Sequence, residues 1–362
     1  MRLHLITLLV ASLCATAAAF SADKAAEKFT VIAGGGTAID GGPATGVKLN
    51  QPFCFHVMPD GSAWLAEQDG NRVRRYGADG TLVTVVGTGE KGASGVPGPG
   101  TKALLNGPHH LLPLPDGRVL IADTYGRRTL QLDPKTGVVK LFAGTGETGY
   151  SGDGGPADQA KTSDAYSLAL SKDQKTVFIA DIQNRRVRAV DLTTGIIRTA
   201  VGNGGKTAPK DGEKADQCSL VDPRSVAVDG DGRLWILERN GHCLRVVDLD
   251  GTIKTVVNTS GQKGNSGDGG DARQATMNGP KDLFIDRDGA VLIADCENHV
   301  IRRFDPKSGI ITRIAGTGKK GTGTPGLPLE TALDRPHGVH VGPDGALYIS
   351  DSSNHRVLKL VR

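Results

Sequence analysis

Six residues at nearly even spacing along the chain have side chains that could bind a small charged molecule. Each directly follows a proline or, in one case, an alanine, and successive anchors lie 56–58 residues apart. The six residues are Phe53, His109, Tyr166, Arg224, Lys281 and His337. Arginine binds a carboxylate or phosphate through two parallel hydrogen bonds, and lysine adds a point charge. If the fold brings these residues to one level, we expect Tyr166, Arg224, Lys281 and Phe53 to bind an anionic ligand.

Five histidines near the same anchors indicate a second possible chemistry, metal binding. They occur in only three of the six anchored segments, the first, second and sixth, and Cys54 lies in the first of these. The histidines are His56, His109, His110, His337 and His340. Imidazole nitrogens that converge on a channel suit Zn²⁺ or Cu²⁺. The alternative is that these are packed or surface histidines with ordinary hydrogen bonds.

The candidate residues belong to six copies of one unit of four strands. After each anchor, apolar residues alternate, as at Val226 and Val228, which predicts a first strand. An Asp-Gly pair such as Asp231-Gly232 predicts a tight turn, and a continuously apolar second strand follows. An acid such as Glu238 closes the second strand in every copy. This regularity favours a structural role for the acid, as acceptor for backbone N–H groups of the following loop, over catalysis.

Four antiparallel strands repeated six times predict an all-β fold, a six-bladed β-propeller. A blade can bury its two faces only against its neighbours, so the ring has to close. The sixth copy stops at Arg362 after its third strand, and residues 28–34 align with the missing fourth strand. We therefore expect residues 20–362 to form one propeller, with the N-terminal strand completing the last blade.

The unit resembles the NHL repeat. Its motif runs Pro-x-x-Val-x-Val, then Asp-Gly, then Leu-x-Ile-Ala-Asp-x-x-Asn and Val-x-Arg, and it covers almost the whole chain after residue 19. Among similar propellers, the peptidyl-α-hydroxyglycine lyases hold zinc with three histidines that follow the anchor prolines of alternate blades. His109 and His337 match two of these positions, and Arg224 occupies the third. A lactonase-type propeller would need a set of Glu, Asn and Asp ligands, for which the first strands offer only Asp282.

The N-terminal residues predict export. Met1-Arg2, an apolar run over residues 5–13 and small residues up to Ala19 are typical of a secretory signal cleaved after residue 19. No later stretch is long and apolar enough to span a membrane. We therefore expect a secreted or periplasmic protein. Oxidising conditions would permit two disulfides among the remaining cysteines, with the pairing open. These cysteines are Cys54, Cys218, Cys243 and Cys296.

Charge and motif content favour a binding role. The net charge is only +4, and the scattered Lys and Arg residues argue against a nucleic-acid partner. The sequence contains no G-x-S-x-G, H-E-x-x-H or P-loop motif. We therefore expect a monomeric binding or scaffold module for a protein, peptide or small anionic ligand at the central opening. The alternative is a metal-dependent lyase or hydrolase that uses the histidines, so whether the protein is an enzyme stays open.

Overall fold

Six four-stranded antiparallel sheets form a ring in the computed structural model, which describes residues 27–361. The inner strands of all neighbouring blades pack against one another, including those of the sixth and first blades. This arrangement confirms the six-bladed β-propeller. The signal sequence predicted for residues 1–19 lies outside the described residues.

The blades are numbered in chain order, and their strands are given from the inner to the outer edge. Blade 1 has Pro52–Val57, Ala63–Glu67, Arg72–Tyr76 and Leu82–Val86, and blade 2 has Pro108–Pro113, Val119–Asp123, Arg128–Asp133 and Val138–Ala143. Blade 3 has Ala165–Leu170, Thr176–Asp181, Arg186–Asp191 and Ile197–Val201, and blade 4 has Pro223–Val228, Leu234–Glu238, Cys243–Val247 and Ile253–Val257. Blade 5 has Asp282–Ile285, Val291–Asp295, Val300–Asp305 and Ile310–Ala315, and blade 6 has Gly338–Val341, Leu347–Asp351, Arg356–Leu360 and Thr30–Gly34.

Short elements complete the blades and their connections. Two-residue strands, Gly98–Pro99 and Gly270–Asp271, extend the outer edges of blades 2 and 5. Single 3₁₀ turns lie at Ala44–Gly46, Gly100–Lys102, Thr124–Gly126, Ala157–Gln159, Ala272–Gln274, Cys296–Asn298 and Ser352–Asn354. Within residues 27–361, no helix has the length and apolar character needed to cross a membrane.

The N-terminal strand completes blade 6, as predicted. Thr30 lies opposite Lys359, and Gly34 lies opposite Arg356 in an antiparallel pair. Gly34 has a φ of +86°, and a side chain at this position would collide with the carbonyl oxygen of His355. Glycine is therefore required at the end of this strand. Since the strand joins the two ends of the chain, it holds the ring closed.

The second strand of each blade carries the core. Its central aliphatic residue has no solvent exposure in any blade, because side chains from neighbouring sheets cover both faces. These residues are Leu65, Ile121, Ile179, Ile236, Ile293 and Ile349. Their burial explains why the second strands are apolar at consecutive positions instead of alternating.

The acids that close the second strands are structural, but their backbone partners differ from the prediction. Asp123 Oδ1 accepts a 2.6 Å hydrogen bond from the backbone N–H of Asn106, in the loop before the inner strand, not in the following loop. Its other oxygen accepts a 2.8 Å bond from Nε of Arg128 on the third strand. The same two kinds of partner serve Glu67, Asp181, Glu238, Asp295 and Asp351. Each buried acid therefore ties the entry of the inner strand to the third strand.

Candidate functional site

The six residues that follow the anchors lie together at one end of the central channel, which we call the upper mouth. Here the inner strands begin, and a bulge at the start of several strands lets the residue after the anchor point toward the channel. Five of the six side chains are buried, and that of Arg224 is half-buried. The residues at this level are Phe53, His109, Tyr166, Arg224, Lys281 and His337.

A chain of ring contacts joins five of these residues. Phe53 stacks on His337 with a centroid distance of 3.8 Å, and its ring meets His109 edge-on at 4.8 Å. The His109 ring lies 4.3 Å from that of Tyr166. The guanidinium carbon of Arg224 lies 3.6 Å from the centroid of the Tyr166 ring, a cation–π contact. These contacts hold the mouth in shape without using the hydrogen-bonding groups of its polar residues.

At the upper mouth, Lys281 of blade 5 and Arg335, just before the inner strand of blade 6, contact the same carboxylate, that of Glu297. Lys281 Nζ lies 3.7 Å from Glu297 Oε1, and Arg335 donates a 2.8 Å hydrogen bond to the same oxygen. Burial and the nearby charge of Arg224 lower the pKa of Lys281 to about 8. Lys281 therefore still carries its charge at neutral pH. Glu297 is thus shared between two cations, and no carboxylate within residues 27–361 lies at salt-bridge distance from Arg224.

Several buried polar atoms at the mouth lack a hydrogen-bond partner. Three of them belong to the six residues that follow the anchors: His109 Nε2, Arg224 Nε and the Tyr166 hydroxyl. The other two, Asp222 Oδ1 and Arg335 Nε, belong to residues just before two anchors. These are five of the eleven such atoms found in residues 27–361, so they concentrate at this end of the channel. Burial raises the pKa of the Tyr166 hydroxyl, and the neighbouring Arg224 opposes this rise. Buried polar groups of this kind require an external partner, either ordered water or a ligand.

Below this layer the channel forms a cavity of about 200 Å³, which we call the lower well. It is lined by residues two to five positions after each anchor. His56, His110 and His340 line the side formed by blades 6, 1 and 2. Ala169 and Ala227 line the opposite side and leave space there. In a ring of six blades, blade 2 faces blade 5, so His110 lies across the channel from Asp282.

The residue two positions after the anchor links neighbouring blades. Ser225 Oγ accepts a 3.3 Å hydrogen bond from Leu283 N, and Asp282 Oδ2 accepts a 3.1 Å bond from Val339 N, each in the next blade. Ser225 Oγ also donates a 3.0 Å bond to Asp282 Oδ1. Burial raises the pKa of Asp282 to about 7. Asp282 thus has a structural role and also presents its carboxyl group to the well.

The five predicted metal-binding histidines are neutral; His109, His337 and His340 are buried, and His56 and His110 are largely buried. Burial lowers the pKa of His56 to about 4 and that of His110 to about 3, and it lowers the pKa values of His109, His337 and His340 well below the usual value. Nδ1 of His109 lies 2.6 Å from the carbonyl oxygen of Gly107, and Nδ1 of His337 lies 2.8 Å from that of Arg335. Since a carbonyl oxygen can only accept, Nδ1 carries the proton in both rings.

The histidines are divided between two levels. His109 and His337 lie in the upper mouth on either side of Phe53, whereas His56 and His340 lie in the well with a centroid distance of 4.5 Å. No three His, Cys, Asp or Glu side chains within residues 27–361 are arranged to hold a metal ion. Arg224 also places a permanent cation at the third position of the lyase pattern. This geometry does not support zinc or copper binding, which stays a prediction from the sequence.

The four cysteines are separate buried thiols, and none of them forms a disulfide in the described part of the chain. Cys296 belongs to the upper mouth, where its Sγ lies 3.9 Å from Nδ1 of His337. Burial raises the pKa of this thiol to about 12, so it is protonated at neutral pH.

Sequence reasoning identified the six ring residues but missed the loop residues that enter the upper mouth. Asp222 and Arg335 directly precede their anchors, and Glu297 lies two residues after the acid Asp295. An alignment of the six copies extended one residue before the anchor and two beyond the acid would have found all three. Their ionisable side chains stand at positions where the other copies vary.

Residues 333–360 match the family model described as NHL repeat. The chain is 28% identical over 261 residues to protein SUPPRESSOR OF QUENCHING 1, chloroplastic, of Arabidopsis thaliana, covering 70% of this chain and 24% of that protein. It is 23% identical over 267 residues to the human NHL repeat-containing protein 2, covering 66% of this chain and 37% of that protein. The chain thus spans well under half of either relative.

A solved structure has the same architecture. An auxiliary nutrient binding protein from Bacteroides thetaiotaomicron superimposes with a TM-score of 0.69 at 16% sequence identity, covering 92% of this chain and 76% of that one. At this identity the similarity concerns the fold alone. The six four-stranded sheets make this chain a six-bladed β-propeller, and one of its blades matches the NHL repeat that the human relative's name also carries.

Proposed function

We propose that this propeller is an exported binding protein whose upper mouth holds a small anionic ligand, with Arg224 and Lys281 as its charged contacts. The observation that carries the proposal is the concentration of unpartnered buried polar atoms beside these two cations. Arg224 Nε and the Tyr166 hydroxyl are the donors among them, and because Arg224 packs on the Tyr166 ring, one anionic group can accept from both. His109 Nε2 can only accept, since its ring carries the proton on Nδ1, so it would take a hydrogen bond from water or from a donor group of the ligand.

Arg224 is the main contact in this proposal. Its flat face already packs on Tyr166, so the guanidinium is held in place before a ligand arrives. In a partly desolvated mouth, each hydrogen bond between Arg224 and a carboxylate or phosphate is worth ~1.5–3 kcal/mol. Lys281 adds a second positive charge from the next blade, reduced in effect by Glu297.

Export is the second part of the proposal. The signal-like N-terminal residues support it, and so does the similarity in fold to a protein named for nutrient binding. A periplasmic or secreted binder needs no catalytic set, in line with the absence of known catalytic motifs from the sequence.

The test measures the binding of benzoate, phenyl phosphate and neutral benzyl alcohol to the purified protein by calorimetry. We expect an anion to bind better than benzyl alcohol. Replacing Arg224 by Ala should weaken this binding at least tenfold, because it removes a charge-assisted hydrogen bond, and Arg224→Lys should recover only part of it. Arg198, exposed on the outer strand of blade 3, supplies the control Arg198→Ala, which should bind normally.

Two results would contradict the proposal. One is that benzyl alcohol binds best. The other is that Arg224→Ala leaves the affinity for both anions unchanged while the protein melts at the same temperature as the wild type.

A further inference from the structure

The lower well is separated from the upper mouth by a layer of side chains. The buried ring residues of the mouth stand one position before the residues that line the well, so they form its roof. At the other end of the channel, Leu170, Val228 and Ile285 line the cavity and remain partly exposed. The well therefore opens to solvent through the face of the propeller opposite the upper mouth.

When Asp282 is ionised, the charge of the well is opposite in sign to that of the mouth; with a pKa raised to about 7 by burial, this acid is about half ionised at neutral pH and fully ionised above pH 8. Among residues 27–361, neither Lys nor Arg lines the well, and Asp282 is its one acidic residue. His56, His110 and His340 are neutral because burial lowers their pKa values. Nothing in the wall can balance an anion, whereas Asp282 can balance a cation.

Asp282 has hydrogen-bonding capacity to spare. Its two oxygens accept hydrogen bonds from Ser225 Oγ and Val339 N, and the Leu283 N–H also favours its charged form. An ionised carboxylate offers about four acceptor positions, so at least one more donor can bind. The neutral imidazoles of His56 and His340, whose rings lie 4.5 Å apart on another part of the wall, supply further donors and acceptors.

The rest of the wall is apolar and the space is limited. Leu168, Leu170, Val226, Val228 and Phe284 surround the cavity, and the ring of Phe284 lies edge-on to His340. A cavity of roughly 150 Å³ lined by such side chains holds benzene. At about 200 Å³, the well has room for one ring and a short polar arm.

We propose that the lower well binds a small primary amine with an apolar body, its ammonium group paired with Asp282 and its body packed against the aliphatic wall. This site rests on the cavity and on Asp282, so it does not depend on an anion binding at the upper mouth. The two sites would lie at opposite ends of one channel, separated by the layer of buried ring residues.

The test uses benzylamine, with benzyl alcohol and benzoate as isosteric probes, on the full-length protein in calorimetry. We expect benzylamine to bind at least tenfold better than benzyl alcohol, since only the amine can pair with the carboxylate. Asp282→Asn, which keeps acceptor and donor groups for Val339 and Ser225, should weaken benzylamine binding at least tenfold. Ala227→Leu leaves Asp282 unchanged but fills the cavity with a larger side chain, and it should abolish the binding. Glu90→Gln changes an exposed acid remote from the channel and serves as the charge-matched control.

Three outcomes would overturn the proposal. They are no binding of benzylamine at millimolar concentration, equal binding of benzyl alcohol, and unchanged benzylamine affinity in both Asp282→Asn and Ala227→Leu. Thermal melting of each variant separates loss of the site from loss of the fold. Because each end of the channel is measured with its own probe, failure here leaves the result for benzoate and Arg224 intact.

Discussion

The two ends of the channel are built from the same six inner strands yet present opposite chemistry. The upper mouth carries Arg224 and Lys281 beside buried polar atoms that lack partners. The lower well carries a single acid, Asp282, and neutral histidines among aliphatic side chains. Lys281 and Asp282 are adjacent in sequence, so one step along a strand reverses the charge. The repeat fixes the level of a side chain, and the residue type at each level determines what that level can bind.

The levels also differ in how regular they are. Residues two positions after the anchor can accept a hydrogen bond from a backbone N–H of the next blade, as Ser225 does from Leu283. They therefore have a structural role. Positions one after the anchor make ring contacts that differ from blade to blade. In blades 2 to 5 the residue of the first set accepts such a bond, and in blade 6 it is Gly338, which has no side chain; the second set is free of this constraint. Variation of this kind is what a binding site requires.

The largest expected effect comes from breaking the ring, which should destroy both ends together. Blade 6 supplies His337 to the mouth and His340 to the well, and the strand Thr30–Gly34 completes this blade. Deleting residues through Gly34 exposes a strand edge, which favours aggregation. The shortened protein should lose cooperative thermal unfolding or aggregate, as measured by calorimetry and light scattering. A deletion that ends at residue 26 is the control, and it should melt normally.

A shortened protein that lacks Gly34 and everything before it, yet melts cooperatively at the wild-type temperature, would contradict the closure of the ring. It would also show that the upper mouth and the lower well are stable without a complete sixth blade.

Acid should destabilise the protein through the histidines at both levels. Because burial lowers their pKa values in the folded state, the unfolded chain binds more protons below pH 6.5. The stability is fully present above pH 6.5 and is lost as the pH falls toward the folded pKa. For His56, with a folded pKa of about 4, the loss is on the order of 3 kcal/mol. The melting temperature should therefore drop steeply between pH 6.5 and 4.

Replacing His110 by Gln tests this account, because Gln cannot take up the proton yet can accept the hydrogen bond from Leu168 N. The melting temperature of the variant should fall less between pH 6.5 and 4 than that of the wild type. Asp282 acts with the opposite sign, since its raised pKa makes stability fall as the pH rises from about 4 to 7. An equal acid loss in His110→Gln and wild type would show that this histidine is not neutral in the folded protein.

The fold could be predicted almost completely from the sequence. For the site, the sequence predicted only which residues share a level along the channel. Alternation after each anchor, Asp-Gly turns and the alignment of residues 28–34 depend on local spacing, which a single chain displays. The contacts of the mouth join residues that are far apart in sequence, such as Phe53 with His337. Spacing shows that these two share a level, but it does not show that their rings stack and keep the predicted metal ligands apart. Burial of Asp282 and its pairing with Ser225 likewise depend on the closed ring.

Simultaneous titration with benzoate and benzylamine tests the central claim most directly. If one channel carries a cationic mouth and an acidic well, separated by buried side chains, the two probes should bind at the same time. Calorimetry with one probe saturating should then give the other a stoichiometry of one and an affinity within about twofold of its value alone. Competition between benzoate and benzylamine for a single site would contradict the account.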